Sequence, residues 1–195
     1  MITAVILHFY PERRPYLERI IERLNAGTVK PGRIVIWNNG PSISVERATV
    51  INSSENLGCG IRHLIALAFP SEYYLFHDDD LLVKEDTLQK MLEVATPDNV
   101  VGVEWYDRGI VLGRLHLCGQ IPLVRATQFR VSRGLDLPFR TDDILLSIDN
   151  KTAIVSGGMA LFENLPEGRT GLSRDRTHSD ERKQYLQAVK RMMPR

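Results

Sequence analysis

The chain has 195 residues, 43% of them hydrophobic and 25% charged, a globular composition with enough apolar material for one sizeable core. Its formal net charge is +1, so no global field draws it to nucleic acid or to an anionic membrane. No apolar run approaches the roughly 20 residues of a membrane span, and Cys59 and Cys118, the two cysteines, are too few for a disulfide framework or a zinc site, so a reducing, cytoplasmic setting is the expectation.

The opening MITAVILHFY lacks a basic leader and a small-residue cleavage site, and reads as a strand rather than a signal peptide. Its core, TAVILHF at 3–9, is continuously apolar, as in a strand covered on both faces. Leu17, Ile20, Ile21 and Leu24 then recur at helical spacing until Asn25-Ala26-Gly27 stops the helix. RIVIW at 33–37 is a second strand, closed by the turn signal Asn38-Asn39-Gly40-Pro41. Residues 48–52 form a third strand, 61–69 a helix introduced by NLGCG, 73–77 a fourth strand and 84–95 another helix. This rhythm predicts right-handed crossovers and an α/β fold with a mainly parallel central sheet.

After residue 99 the rhythm changes. Residues 100–105 read as a strand, 111–131 as one or two more broken at Gly113, Gly119 and Pro122, and 153–156 as another. TDDILLSI at 141–148 reads as a helix start with Thr141 as N-cap, the tail 179–192 as helical, and 166–176 as a loop. We expect one domain over 1–195, with a ligand-binding half to about residue 99 and a second half beyond it.

In parallel sheets, ligands bind beyond the carboxyl ends of the strands. That rule gathers Asn38, Asn39, Asn56 and the three carboxylates of YYLFHDDDLLV, Asp78, Asp79 and Asp80, on one edge. Three adjacent carboxylates repel unless a cation compensates them. Magnesium or manganese, held by one or two carboxylates plus substrate phosphates, would do so; a solvated acidic turn capping the next helix is the plainer reading. Asn38 and Asn39 suit either a tight turn or contacts to a nucleobase or ribose. The glycines of NLGCGIR could let backbone approach a phosphate, but the spacing is not a dinucleotide fingerprint. Asp142 and Asp143 either favour a helix N-terminus or put a carboxylate at a reacting centre, as base or stabilising charge. His178 and Arg182, four apart on one helix face, are either a basic surface or a metal and diphosphate contact. His8, His63, His77 and His116 read as structural, and both cysteines as core thiols.

The order IVIWNNG, DDDLLV, VVGVEWYDRG, TDDILLS and GLSRDRTHSDER resembles the C-terminal catalytic domain of exostosins, glycosyltransferase family 64. The NLGCG segment looks more like glycosyltransferase family 2, which shares the GT-A fold. The resemblance implies a GT-A fold, a UDP-sugar donor, and Mn2+ (or Mg2+) bound by Asp80 and Asp78. It implies that Asp78 and Asp79 face the ribose, that Asn38, Asn39, Asn56 and Arg62 lie in nucleotide-contact segments, and that Asp143, beside Asp142, stands near the anomeric carbon. It places His178 and Arg182 by the diphosphate, and it implies retention of anomeric configuration. Asp142 stands where family 64 has Glu, the chain is shorter, and the family's late cysteines are missing. With no anchor in sight, a bacterial or viral cytoplasmic enzyme is the expectation.

Two alternatives stay open: a nucleotidyltransferase, disfavoured because FYPERRP after the first strand has no glycine, and a non-catalytic sugar-nucleotide-binding module. Arg125, Arg130, Arg133 and Arg140 suit an anionic, hydroxyl-bearing acceptor: a phosphorylated glycan, a lipid diphosphate or a hydroxymethylated DNA base, the last of which must be flipped out of its stack.

Overall fold

The computed structural model describes residues 1–192 apart from 104, 108–109, 133–141, 148–149 and 167–175. β1 (Ile2–His8) leads through a 3-10 turn at Pro11–Arg13 into α1 (Arg14–Ala26). Pro15 lies in the first turn of α1, where no intrahelical partner awaits its missing N–H. β2 (Arg33–Asn38), β3 (Thr49–Asn52), α2 (Ile61–Ala68), β4 (Tyr73–Asp78), β5 (Leu81–Val83) and α3 (Thr87–Val94) follow. The second half contributes β6 (Asn99–Gly102), β7 (Trp105–Asp107), β8 (Ile110–Leu112), β9 (Leu115–Gly119), α4 (Gln120–Ser132), α5 (Asp142–Ser147), β10 (Lys151–Ile154), β11 (Phe162–Asn164) and α6 (Arg176–Met192).

Seven strands form one sheet in the order β10-β6-β9-β4-β1-β2-β3. Every pairing in it is parallel except those of β9, which runs antiparallel to both β4 and β6. The mainly parallel sheet expected from the sequence is therefore present. The continuous apolar runs have the predicted cause. Ile2, Ala4, Ile6 and Leu75 face one core with Leu17, Ile20 and Leu24 of α1 and Leu88 and Met91 of α3. Val5, Tyr74 and Phe76 face the other, against Ala66 of α2, Leu123 and Ala126 of α4, and Ile144 to Leu146 of α5. Alternation sends neighbours to opposite faces, and both faces are covered.

Residues 120–132, expected as strand, are helical. Pro122 reads as a strand break, but it lies in the first turn of α4, where proline is tolerated. Leu123 and Ala126, three apart, are both fully buried in the second core, and that packing overrides the strand propensity of the valines and Phe129. Thr141, expected as an N-cap, lies outside the described residues.

The sheet's carboxyl edge collects the ends of β1, β2, β3 and β4: His8, Asn38, Asn52 and Asp78. Antiparallel β9 starts at the same edge, so Arg114, just before it, accepts the backbone N–H of Asp78 at 3.1 Å through its carbonyl.

Candidate active site

Asp78 is the last residue of β4. Its Oδ1 accepts a hydrogen bond from a terminal nitrogen of Arg62 at 2.7 Å. Arg62 comes from the first turn of α2 and is 3% exposed. Its Nε donates to Oδ2 of Asp142 at 2.5 Å. One buried guanidinium thus ties the first aspartate of the DDD run to the first residue of α5. Its planar fork suits two acceptors at once.

Asp79 and Asp80 turn the chain from β4 into β5. Asp79 is nearly buried and doubly paired: His8 Nδ1 lies 2.7 Å from one oxygen and Arg13 donates to the other at 2.7 Å. Arg13 also lies 3.2 Å from Asp80, whose other oxygen is 3.4 Å from Arg114. Arg114 reaches Asn164 of β11 at 2.7 Å. Asp143 accepts backbone N–H bonds from Gly113 at 3.0 Å and Ile144 at 2.9 Å, and its Oδ2 is paired with Arg182 of α6.

Three adjacent carboxylates persist at a strand end because Arg13, Arg62 and Arg114 compensate them from three different elements. Arg13, Arg114 and His8 were not picked from the sequence as site residues. Arg13 was within reach: the strand-end rule applies to β1 as much as to β4, and FYPERRP follows β1 directly. Arg114 was not, since its place depends on the antiparallel insertion of β9.

Asn38 and Asn39 shape the loops around this edge. The Asn38 amide donates to the Pro41 carbonyl at 2.7 Å and to Asn52 Oδ1 at 2.8 Å. Asn39 Oδ1 accepts from Trp37 Nε1 at 2.7 Å and from the Leu57 N–H at 3.1 Å. Asn39 therefore pins the NLGCG segment to the end of β2. Within that segment Gly58 has φ +74 and donates its N–H to Asn56 Oδ1 at 3.0 Å, a left-handed conformation that favours glycine. A cavity of about 140 Å³ results, lined by Phe9, Tyr10, Arg13, Asn56, Asp78 and Asp79 among others.

Most of the residues singled out from sequence thus meet at one edge: Asp78, Asp79, Asp80, Asn38, Asn39, Asn56, Arg62, Asp142, Asp143 and Arg182. The His178 side chain lies outside the described residues. Of the arginine cluster, Arg125 is exposed on α4, and the side chains of Arg130, Arg133 and Arg140 lie outside the described residues.

Burial sets the ionisation of this edge. Partial burial, with 29% of the side chain left open, pushes Asp78 up towards about 7, against the pull of Arg62 and with help from the charges of Asp80 and Asp142. Burial would raise Asp142 too, but Arg62 beside it holds it below the usual carboxylate range. Burial pushes His63 down to about 4, and His77 likewise to about 4. His63 packs on Phe76, ring centroids 5.2 Å apart, and is 3% exposed.

A depressed histidine contributes stability that is present above its unfolded value, about 6.5, and lost as pH falls through its folded value. Asp78 acts in the opposite direction over an overlapping window, so the difference between two proteins isolates the histidine. A His63→Gln variant is expected to gain on the wild type by about 3 kcal/mol as pH falls from 6.5 to 4. Urea unfolding of both proteins across that range checks it; parallel pH profiles would contradict it.

Residues 4–164 match the sequence model of glycosyl transferase family 2. The chain belongs to glycosyltransferase family 2. Solved structures agree on the GT-A fold. The mannosyltransferase PcManGT from Pyrobaculum calidifontis, in complex with GDP-Man and Mn2+, aligns with a TM-score of 0.63 at 16% identity, over 96% of this chain and 64% of that one. S. aureus TarS 1-349, in complex with UDP-GlcNAc, aligns with a TM-score of 0.59 at 13% identity, over 89% of this chain and 61% of that one. The chain thus spans less than two thirds of the length of these structures. No curated protein matches it in sequence. The family 2 character seen in NLGCG therefore extends over most of the chain, and the narrower exostosin likeness gains no support from the match.

Asp78 offers one open carboxylate to a divalent cation of the kind completed by phosphates. Asp78 lines the cavity with its side chain 29% exposed, whereas Asp80 is buried against Arg13 and Arg114, so a cation would displace an arginine to reach it. Among the described residues no three His, Cys, Asp or Glu side chains form a self-sufficient cage. One or two carboxylates plus substrate oxygens is how magnesium is usually held.

Proposed function

We propose that the chain transfers a sugar from a nucleoside-diphosphate sugar, UDP-linked in our reading, to a hydroxyl acceptor, with a divalent cation, Mn2+ or Mg2+, at the donor. One observation carries this. A family 2 chain gathers Asp78 and Asp80, Asp143 and Arg182 from three parts of the sequence to one sheet edge, with Asp78 lining a cavity there. Residues to about 99 supply most of the nucleotide-sugar side, and later residues the acceptor side and the catalytic groups. Asn56, Phe9 and Tyr10 line the cavity that takes the nucleoside.

Asp78 and Asp80 would hold the cation, which offsets the diphosphate charge when bound. We assign Arg182 to neutralising the departing diphosphate, and His178, one turn earlier in α6, belongs to the same reading. Asp143, fixed by two backbone N–H groups, is the carboxylate we assign to the acceptor hydroxyl or the developing positive charge at the sugar. The retaining outcome belonged to the family 64 likeness, and no arrangement of Asp142 and Asp143 carries it. The anomeric configuration of the product reads it directly. We place the activity in the cytoplasm; among the described residues no helix is long and apolar enough to cross a membrane. The acceptor class remains an anionic one on the strength of the arginine-rich 125–140 segment.

Incubation with UDP-sugars and, in parallel, GDP-sugars tests the reading. Slow release of UDP from one sugar nucleotide, dependent on manganese, is expected. Failure to turn over any sugar nucleotide with any divalent cation would contradict transferase activity, and binding without turnover would favour a sugar-nucleotide-binding module.

A further inference from the structure

Asp142 and Asp143 are adjacent on α5, yet the structure gives them different company. Asp143 meets Arg182, which is 27% exposed at its side chain. Both carboxylates are buried, but Asp142 has other partners: its side chain is 7% exposed, one oxygen lies 2.5 Å from Arg62 Nε, and His63 Nε2 lies 4.0 Å from that same oxygen. It does not line the cavity that Asp78 lines. Its partner Arg62 is shared, with Nε on Asp142 and a terminal nitrogen on Asp78.

Resting on the donor-site reading above, we propose that Asp142 is a positioning residue for the donor site. It holds Arg62 divided between two carboxylates, and so sets how fully Asp78 can offer itself to a divalent cation. An arginine released from Asp142 has an obvious second use: it can turn its whole fork on Asp78, the arrangement in which guanidinium and carboxylate bind most strongly. That arginine would compete with the cation for the same oxygens. A residue of α5, 80 positions away from Arg62 in sequence, thereby controls the metal side of the donor site through one buried side chain, a contiguous physical link between the two halves of the site.

The sign of the effect separates this from a structural role. Removing the charge of Asp142 makes the surroundings of Asp78 more positive. That weakens a bound cation and does not weaken an anion such as UDP. Removing Arg62 as well takes away the competitor and restores the balance of charge, and a buried ion pair replaced on both sides is usually tolerated.

The test is calorimetric titration of UDP at a series of manganese concentrations into the wild type, Asp142→Asn, Asp142→Glu and the double variant Arg62→Met with Asp142→Asn. The manganese concentration for half-maximal UDP binding is expected to rise about tenfold in Asp142→Asn. It should return to within about twofold of the wild type in the double variant. Asp142→Glu keeps the charge and is expected to keep the manganese midpoint within about twofold, even if its thermal stability drops as far as that of Asp142→Asn. An unchanged midpoint in Asp142→Asn, a double variant as weak as the single, or a midpoint that simply follows stability overturns the inference while leaving the donor site standing. A wild type that shows no manganese-dependent UDP binding overturns the donor-site reading, and this inference with it.

Discussion

Replacing Arg62 by methionine is expected to lower the stability of the fold by about 3–5 kcal/mol, because it leaves a buried carboxylate without its counter-charge. Asp142 is the residue stranded. Its side chain is 7% exposed and its bond to Arg62 is the shorter of the two. Asp78 is partly open to the cavity and can be hydrated. For a chain of this length the loss corresponds to a fall of roughly 10 °C in the unfolding midpoint. Arg62→Lys keeps the charge but loses the fork that serves both acceptors, and should fall between methionine and wild type. Urea unfolding at neutral pH measures both. A loss below about 1 kcal/mol for the methionine variant would mean that the arginine offsets little of the burial cost of these carboxylates.

The second large effect is on turnover. Asp143→Asn is expected to lower kcat by about 10²–10⁴-fold if the carboxylate acts on a proton at the acceptor hydroxyl, the usual range for a positioned general base. The amide keeps the size of the side chain, and its single oxygen can still accept one of the two N–H bonds that Gly113 and Ile144 make to separate oxygens of Asp143, so thermal unfolding of the variant is measured alongside kcat. UDP binding in the presence of manganese should change little. Arg182→Ala removes the partner of the same carboxylate and is expected to lower kcat by about 10²–10³-fold, as for loss of one charge-stabilising donor. Turnover of the Asp143→Asn variant within threefold of wild type would remove Asp143 from the reaction.

The sequence was readable where local pattern and topology say the same thing. The apolar runs of β1, β2 and β4, the helical spacing of Leu17 to Leu24 and the turn at Asn38 to Pro41 led directly to the parallel half of the sheet. The strand-end rule then brought Asp78, Asp79, Asp80, Asn39 and Asn56 together without any structure. Legibility failed where a single residue type serves two uses. Pro122 and the valines of 120–132 signal a broken strand, yet they sit in α4 because Leu123 and Ala126 bury against the second core. The pairings of the site were also out of reach. Nothing local marks Arg62 as the partner of Asp142, or Arg114 as a neighbour of Asp80, since both contacts depend on how β9 and α5 fold back onto β4. The DDD run called for positive charge, and sequence reading supplied a metal. The structure supplies arginines as well, and a divalent ion would join a site already largely neutralised.

Asp78 and Asp80, in the reading proposed above, form a cation-dependent site for a nucleoside diphosphate. Calorimetric titration of UDP into the wild type, with and without manganese, and into Asp78→Ala and Asp80→Ala, tests it most directly. Binding is expected to require manganese in the wild type and to be lost in both variants. UDP affinity that is the same with and without manganese, or that survives both substitutions, would contradict it.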